Sequence, residues 1–540
     1  MIYTILFPIV FPIAVGLLLL VMREPENRKI LTGITGAALL ITGCAVGYAL
    51  FHVKDQEILL FQLTATLPVY FRPDSLGLLF VSVVTIVWIL AGFFSFSYMA
   101  PHEGKREAGE KRFYGFYLIV FGVLVALDFA GNLITFYMFY ELMTLLSMPL
   151  VIHTKSREAI MAGLKYLFYS FCGAYMVLFG LYFLYRYGNT LTFTPGGVLD
   201  QSMIAGKEGL LLIVSFLMIL GFSVKAGMFP LHAWLPTAHP VAPAPASAVL
   251  SSIIVKGGVL GMIRVIFYMF GADFIRGTWV QLAWMILALV TVFMGSMLAY
   301  RENVLKKRLA YSTVSQLSYI LFGLALLNPI AMQGALLHVV FHAFIKCTLF
   351  LTAGAMIHKT GKTKVGELRG IGKKMPVTMW CYTFASLALI GIPPASGFIS
   401  KWYLAEGALD SGIRLFSWLG PVVLLISALL TAGYLLPLTM KGFFPGEDYA
   451  GVKTASPVDL QADAKTTSSV DLQDGVQIAS SVDLQTGVKA GPGRRKLLPE
   501  REASLLMLVP LVILTALAVV LGMFPNPLTE YAAAIAAQLL

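Results

Sequence analysis

The chain has 540 residues, of which 58% are hydrophobic and only 12% are charged. A soluble protein carries roughly twice that charged fraction, so the composition excludes an ordinary soluble globular protein and predicts a membrane protein that crosses the bilayer many times. The net charge of +11 does not indicate a nucleic-acid partner, because the basic residues lie in short loops between apolar segments, as in the cytoplasmic loops of membrane proteins.

Fourteen apolar segments follow one another along the chain, and most have the roughly 20 residues that a helix needs to cross a bilayer. The predicted spans are residues 2–22, 30–51, 76–99, 113–130, 132–152, 160–186, 208–229, 246–270, 279–300, 308–327, 331–357, 375–391, 416–440 and 504–524. The first has no basic region before it and no small-residue cleavage site, so we interpret it as a span and not as a signal peptide. The expected fold is an all-α polytopic membrane protein with about 14 transmembrane helices.

Prolines interrupt two of these spans. Proline has no backbone N–H and clashes with the preceding turn, so the seventh span should break at Pro230 and resume over 231–238. The twelfth span should break at Pro393 and Pro394 and resume over 397–409. Lipid cannot satisfy the backbone groups that a break frees, so both breaks should lie against protein or water.

Basic residues concentrate in the loops after odd-numbered spans, for example Arg301, Lys306 and Lys307 after the ninth span. The loops after even-numbered spans are poorer, with Arg276 alone after the eighth. By the positive-inside rule, the odd-numbered loops should be cytoplasmic, and both chain ends should lie outside a bacterial or archaeal cell membrane.

The order of the spans suggests an internal repeat. Residues 113–270 and 279–440 each hold five spans with a broken helix in the matching place, and an odd number of spans makes the second copy inverted. Three further helices lie in residues 1–112, and the last helix and a short tail lie in 504–540. Between them, residues 441–503 contain the sequence VDLQ three times at twelve-residue intervals, which predicts a solvated cytoplasmic insertion.

Ionisable side chains inside the apolar segments are the strongest functional signal. A charged group at the bilayer centre costs about 2.5–3.5 kcal/mol on insertion scales, and such groups usually mark ion paths. The candidate path residues are Glu141, Lys165, Lys225, Lys256, His338, His342, Lys346 and Lys401. Four-residue spacing should place His338, His342 and Lys346 on one helix face.

Three other ionisable residues are less clear from the sequence. His232 and His239 lie in the broken seventh span, where a histidine either takes part in an ion path or holds the irregular backbone by hydrogen bonds; we leave both interpretations open. Asp128 lies at the end of the fourth span, and we expect it at the membrane interface.

Cofactor signals are missing from the sequence. Cys44, Cys172, Cys347 and Cys381 lie far apart in apolar segments, which indicates neither a disulfide framework nor a metal site. The sequence also lacks a GxxxxGK[ST] phosphate loop, an HExxH zinc motif and a strand–GxGxxG–helix unit. We therefore expect no cofactor, no metal and no catalytic redox centre in this chain, and any driving reaction would occur in a partner subunit.

Several motifs resemble those of one known family. These motifs are FYELMTLLSMPL, KAGMFPLHAWLPTAHPVAPAPASAVLSSIIVKGG, LAYSTVSQLSY, HVVFHAFIKCTLFLTAG and GIPPASGFISKW. Over about residues 70 to 440 the chain is similar to the antiporter-like membrane subunits shared by respiratory complex I, membrane-bound hydrogenases and Mrp-type cation/proton antiporters. Its short C-terminal end is similar to the D-type subunits of that family.

The resemblance implies a role for each candidate residue. Glu141 would pair with Lys225, and Lys256 would form the centre of a proton path. The eleventh-helix set would pass protons onward to Lys401 at the exit, and Lys165 matches a basic residue of the sixth helix. These roles are implied by the resemblance alone.

The expected function is proton translocation, with exchange for Na⁺ left open, by one subunit of a multisubunit membrane complex. The implied partners are antiporter-like and small hydrophobic membrane subunits, with a hydrogenase-type or complex I-like redox module that contains iron–sulfur subunits as the driver. One alternative is a D-type component of an Mrp cation/proton antiporter without a redox partner. Another is a structural subunit that no longer conducts, although such a subunit would be free to lose the costly ionisable set.

Overall fold

The structure is a computed structural model that describes residues 2–23, 27–100, 109–445 and 502–540. Within these ranges it is helical apart from one antiparallel hairpin, in which β1 (Ile58–Thr64) pairs with β2 (Leu67–Phe71) between the second and third helices. The VDLQ repeats lie outside the described residues, so the predicted cytoplasmic insertion stays a prediction.

The first half of the chain forms eleven numbered helices, several of them short. They are α1 (Ile2–Val21), α2 (Arg28–His52), α3 (Ser75–Tyr98), α4 (Glu110–Asp128), α5 (Leu133–Val151), α6 (Arg157–Tyr187), α7 (Gln201–Ile204), α8 (Glu208–Ala226), α9 (Leu235–Val241), α10 (Ala244–Val249) and α11 (Lys256–Ile263). Two π-helical segments, Leu250–Ile254 and Arg264–Phe270, continue α10 and α11, so that Ala244–Phe270 is one long helical segment. Such π segments are often found at functional sites.

The second half follows the same pattern of long helices with short connectors. Its helices are α12 (Ala272–Ile275), α13 (Trp279–Arg301), α14 (Leu305–Ala325), α15 (Pro329–Thr360), α16 (Ile371–Lys374), α17 (Pro376–Ile390), α18 (Ser396–Leu409), α19 (Arg414–Phe443), α20 (Leu505–Met523) and α21 (Asn526–Leu539), with a 3₁₀ turn at Val365–Leu368.

The helices confirm a polytopic membrane protein. In the described part of the chain, eleven helices are long and apolar enough to cross a membrane. A helix also occupies each of the other three predicted spans, but α4 and α14 begin with several charged residues and α17 has only 15 residues. The count of fourteen spans therefore stays a prediction.

Both predicted breaks are present. Helix α8 ends at Gly227, which has a left-handed φ of 74°, and α17 ends at Gly391, with a φ of 94°. Glycine takes this conformation without the steric cost of a side chain, and it commonly ends helices in this way. The chain becomes helical again at Leu235 after the first break and at Ser396 after the second.

Loops from alternate helices meet at the same end of the molecule, as the predicted topology requires. Tyr98, His153, Lys306 and His358, which lie near the loops after the third, fifth, ninth and eleventh spans, line one pocket. We call this end the basic face. At the other end, loops after the second, fourth and sixth spans line a second pocket. The C-terminal helix α21 belongs to this opposite face, since the Tyr531 hydroxyl donates to the Ser75 carbonyl (2.9 Å).

Two long helices are enclosed by the others. In the most apolar stretches of Ala244–Phe270 and α15 every residue is buried, whereas only a third of the corresponding stretch in α1 or α20 is buried. The enclosed helices carry Lys256 and the three candidate path residues of α15, His338, His342 and Lys346. Their charged groups therefore face protein and not lipid, which is where ionisable groups inside membranes usually lie.

Candidate functional site

Lys225 lies in the last turn of α8 and is fully buried. Its amine donates to three neutral oxygens, namely the hydroxyls of Thr144 (2.9 Å), Tyr166 (2.9 Å) and Ser170 (3.1 Å). The amine also lies 4.4 Å from the centre of the Tyr166 ring, where a cation is attracted to the ring face. Hydroxyls and rings thus surround the ammonium group, and no carboxylate from residues 2–23, 27–100, 109–445 or 502–540 touches it.

Glu141 does not form a direct ion pair with Lys225, although the resemblance implied one. Neither residue belongs to any ion pair of 4 Å or less among the described residues. Thr144, one turn further along α5, contacts the amine instead, so Glu141 lies on the neighbouring turn of the same helix. The two charges are close enough to interact electrostatically, and one buried Glu141 oxygen has no hydrogen-bond partner in the protein.

Lys256 lies at the start of α11, directly after the first π-helical segment, and is 2% exposed. Its amine donates to the Ser252 carbonyl one turn earlier. Gly258 allows α8 to approach closely here, because a Cβ at this position would lie 3.0 Å from the Cβ of Lys225 and 2.5 Å from the Phe222 carbonyl. The helices that carry Lys225 and Lys256 therefore pack backbone against backbone.

The predicted face of α15 is confirmed. The rings of His338 and His342 are 5.9 Å apart, and the Lys346 amine lies one turn beyond them. Lys346 donates to the Ser312 hydroxyl (2.6 Å) and the Leu309 carbonyl (3.2 Å). His342 and Lys346 are also close enough to Lys256 for their charges to interact.

One face of α14 runs along these residues, and the sequence analysis missed it. Ser312 contacts Lys346, and the Tyr319 ring stacks on His338 with ring centres 5.7 Å apart. Gln316 lies between them at spacings of four and three residues, which is one face of a helix. Its side-chain amide is buried without a protein hydrogen-bond partner, as are both ring nitrogens of His342. The i, i+4, i+7 spacing in YSTVSQLSY was the available signal.

Lys401 lies in the first turns of α18, after the second break, and is half-buried. Its amine donates to the carbonyls of Leu389 (2.6 Å) and Ile390 (2.9 Å), which are the last two residues of α17. The same amine lies 5.1 Å from the centre of the Tyr319 ring. The neighbouring Ser400 hydroxyl is 2.9 Å from Nδ1 of His338, so His338, and not Lys346, is the member of the α15 set beside Lys401.

The remaining candidates lie at the margins of this arrangement. Lys165 on α6 is half-buried with no ion pair among the described residues, and it is close enough to His232 for an electrostatic interaction. His239 is fully buried, stacks on Phe350 with ring centres 4.7 Å apart, and has no protein partner for either ring nitrogen. Asp128, which we expected at the interface, is only 3% exposed, because α3, the first π-helical segment and α11 pack against the end of α4; its depth in the membrane stays a prediction.

The described residues contain no group of three or more His, Cys, Asp or Glu side chains that could hold a metal ion. What the geometry assembles is a row of buried titratable groups, separated by hydroxyls and aromatic rings, between two broken helices. This defines a class of protein, the membrane proteins whose helix bundle encloses a chain of ionisable groups.

Comparison with known proteins identifies the family within that class. The family model described as NADH:quinone oxidoreductase/Mrp antiporter, transmembrane, matches residues 130–431. NADH-quinone oxidoreductase subunit N of Desulforudis audaxviator is 32% identical over 81% of this chain and 79% of its own length. The D-type subunit of the Na⁺/H⁺ antiporter of Bacillus subtilis is 29% identical over 82% of this chain and 87% of its own length. Hydrogenase-4 component B of Escherichia coli is 34% identical over 62% of this chain and 50% of its own.

Solved structures show the same fold. A chain of the Mrp complex from Dietzia sp. DQ12-45-1b superposes with a TM-score of 0.79 at 23% identity, covering 99% of this chain and 97% of the other. A chain of respiratory complex I from Thermus thermophilus gives a TM-score of 0.72 at 20% identity, covering 100% and 99%. The chain belongs to the NADH:quinone oxidoreductase/Mrp antiporter family, and it is an antiporter-like membrane subunit.

Proposed function

We propose that this subunit translocates protons through the row of residues that runs from Glu141 and Lys225 through Lys256 and α15 to Lys401. The observation that carries the proposal is that three lysines on this row, Lys225, Lys256 and Lys346, are buried with no carboxylate within ion-pair distance in the part of the chain that the structure describes. Burial disfavours the charged form of a lysine unless an anion is near. Such amines can release and regain protons, which a relay requires.

The contacts favour a particular order of sites. Lys225 is linked to Lys256 by the close packing of α8 on α11, and Lys256 interacts with His342. The rings of His342 and His338 are 5.9 Å apart, and His338 is beside Ser400 and Lys401. In this order Lys346 lies beside the row, nearer the basic face, and donates to the Ser312 hydroxyl.

Water is the natural carrier between these groups. Buried polar atoms are nearly always hydrogen-bonded to protein or water, and several buried atoms without a protein partner lie on this row. They include Gln316, His342 and the second ring nitrogen of His338. Chains of water between such groups would move protons without requiring the side chains to touch.

Access from the basic face would run through the pocket behind the first break. Pro240, Ala242 and Pro243 line it together with Lys306, whose amine donates to the Ala242 carbonyl (2.8 Å). His239 lies directly before Pro240 and has both ring nitrogens free of protein partners. By the positive-inside rule this face is cytoplasmic, and both chain ends lie on the other side of a bacterial or archaeal cell membrane.

The driving force would come from other membrane proteins of the same complex. The relatives carry the names of components of NADH-quinone oxidoreductase, hydrogenase-4 and Na⁺/H⁺ antiporters. We therefore propose a multisubunit complex in which a redox module moves charge near Glu141 and so changes the proton occupancy of Lys225. The second candidate is a D-type antiporter component without a redox partner, which the likeness to the Na⁺/H⁺ antiporter of Bacillus subtilis favours.

The translocation proposal is tested by Glu141→Ala and Lys225→Ala in the purified complex reconstituted into vesicles. Proton uptake should fall about 100-fold or to background, since a positioned acid–base group contributes about that factor. Lys29→Ala, an exposed lysine at the start of α2, is the matched control and should pump normally. Full activity in both Glu141→Ala and Lys225→Ala vesicles would refute the proposed path.

The two driver candidates are separated by purifying the tagged chain in mild detergent and identifying its companions by mass spectrometry. Hydrogenase-type or iron–sulfur subunits would support the redox-driven pump. Companions limited to small hydrophobic subunits would support the cation/proton antiporter and contradict the redox module.

A further inference from the structure

A buried carboxyl group shares a narrow cavity with Lys256 of the row of path residues. Asp128, the last residue of α4, and Lys256, the first of α11, line the same narrow cavity. Both are almost completely buried, at 3% and 2% exposure. The other lining residues are apolar or glycine, from α3, α4, the first π-helical segment, α11 and α15: Phe80, Val83, Val84, Leu124, Leu127, Ile253, Gly257 and Val339. A carboxyl group and an amine are thus the two ionisable groups on its wall.

The nearby ion pair does not use the Asp128 carboxylate. Arg264, two turns beyond Lys256, donates to both oxygens of Asp74 (2.5 and 2.6 Å), and the Tyr268 hydroxyl donates to the same carboxylate (3.0 Å). Asp74 and Arg264 therefore neutralise each other. One oxygen of Asp128 has no hydrogen-bond partner among the described residues. This carboxyl group therefore has an acceptor that the Asp74–Arg264 ion pair does not occupy.

We propose that one water molecule in this cavity links Asp128 to Lys256, and that the pair exchanges a proton, which makes Asp128 a side branch of the path. The cavity is wide enough for about a single water, and a bound water needs two or more polar partners. Asp128 supplies an acceptor and Lys256 a donor.

The exchange balances without any further reactant. The Lys256 ammonium gives a proton to the water, and the water gives one of its protons to the Asp128 carboxylate, leaving a neutral amine and a neutral carboxylic acid. Two buried charges disappear in this step, which the low-dielectric surroundings favour. Reversal returns the proton to Lys256. Asp128 would thus hold the proton while Lys256 is neutral.

Other charged groups face the pair and set its balance. Asp128 is close enough to Arg264 for an electrostatic interaction, and Arg264 is itself held by Asp74 and Tyr268. Lys256 is near Cys347, His342 and Lys346. Removal of Lys256 should therefore make Asp128 easier to protonate, because the cation on the other side of the water is lost.

The coupling is tested by infrared difference spectroscopy of the purified complex at a series of pH values. The carboxylic acid band of Asp128 is assigned by its loss in Asp128→Asn. In Lys256→Met the pH at which this band is half-formed should rise by about one unit or more, as expected when a nearby opposite charge is removed. Lys225→Met, which removes a buried lysine that does not line the cavity, should leave that pH unchanged.

The branch itself rests on the proposed proton path and has its own measurement. Asp128→Asn should lower proton uptake by the reconstituted complex about threefold to tenfold, the change of roughly 1 kcal/mol that one hydrogen-bonded group contributes. A band that never forms, an equal shift in both lysine variants, or normal uptake by Asp128→Asn would each overturn the inference. A shift confined to Lys256→Met would stand even if Lys225→Ala still pumped, so the two proposals can fail separately.

Discussion

At the first break the Trp234 indole donates to the Val224 carbonyl (2.7 Å), and the neighbouring Lys225 amine takes no part in ending the helix. At the second break the Lys401 amine itself donates to the last two carbonyls of α17. The two lysines thus lie on different sides of their breaks, Lys225 before the first and Lys401 after the second, and make different contacts there. In the proposed path, Lys225 would lose its proton without disturbing the break, whereas Lys401 would combine proton exchange with capping of the broken helix.

The two lysines also differ in how far they are buried. Lys225 is fully buried among hydroxyls and rings, while Lys401 is half-buried at carbonyls. A buried amine with neutral partners suits a site that responds to a distant charge such as Glu141. A half-buried amine on fixed carbonyls suits a site where a proton leaves the protein. In the proposed proton path, input sensing would therefore fall to the first break and release to the second.

The largest effect is expected from Lys401→Arg, which separates capping from proton exchange. Arginine keeps the charge and can donate to the same carbonyls, but it does not lose its proton in proteins. Thermal unfolding of the purified complex should stay within about 1 °C of wild type, whereas proton uptake by vesicles should fall about 100-fold. Uptake near the wild-type rate would show that Lys401 is only a cap.

A smaller loss is expected for Gln316→Leu. Gln316 lies on the α14 face between Ser312, which contacts Lys346, and Tyr319, whose ring lies beside Lys401. Leucine removes the buried amide that we expect to hold water beside His342. Proton uptake should fall about threefold to tenfold, corresponding to roughly 1 kcal/mol. Ser318→Ala is the matched control, since the Ser318 hydroxyl donates only to the carbonyl of Val314 in its own helix (3.1 Å). Equal losses in the two variants would argue against a role for Gln316.

At the first break, Trp234→Phe should affect stability more than transport. The change removes the indole donor to the Val224 carbonyl, which still accepts from the Gly227 amide (3.3 Å). The expected cost is therefore that of one ordinary hydrogen bond, about 0.5–1.5 kcal/mol. The unfolding temperature should fall, while uptake by the folded complex, measured per assembled complex, should stay within about twofold of wild type. A large loss of uptake at unchanged stability would mean that this break, like the second, combines both duties.

The two helix breaks were predictable because proline and glycine change the backbone locally. The α15 face was predictable because residues four positions apart lie on the same side of a helix. The partners of Lys225 were not predictable. They come from α5 and α6, between 55 and 81 residues away along the chain, and only the packing of three helices brings them to one amine. For the same reason the sequence implied a Glu141–Lys225 pair that the structure does not form directly.

Asp128 shows a different limit: the sequence did not predict that its side chain would be buried against other helices. Its position at the end of an apolar segment predicted an interfacial residue, because distance from the segment centre is the only depth signal in a sequence. Burial there depends on α3 and on the π-helical segments around Lys256, which apolar periodicity does not reveal. The face of α14 could have been found, since Ser312, Gln316 and Tyr319 follow helical spacing.

The smallest effect concerns the mouth of the pocket behind the first break, where His153 follows the end of α5. Burial, with the nearby charges of Arg112 and Lys155, lowers the pKa of His153 to about 4, so the ring is neutral at physiological pH. His153→Gln should therefore leave the pH profile of proton uptake between about pH 6 and 8 unchanged. If His153 collected protons at this mouth, His153→Gln would instead lose part of the pH dependence of proton uptake.

Stability should respond in acid, with a definite sign. Between the ordinary pKa of about 6.5 and the lowered value, the unfolded chain binds a proton that the folded chain does not, so the free energy of unfolding falls as pH decreases. Removing the histidine should flatten that fall by about 1–3 kcal/mol between pH 6.5 and 4. Thermal unfolding of His153→Gln and wild type across this range provides the measurement. Parallel curves would mean that His153 already titrates normally, and the pocket would then have a proton-binding group at its entrance.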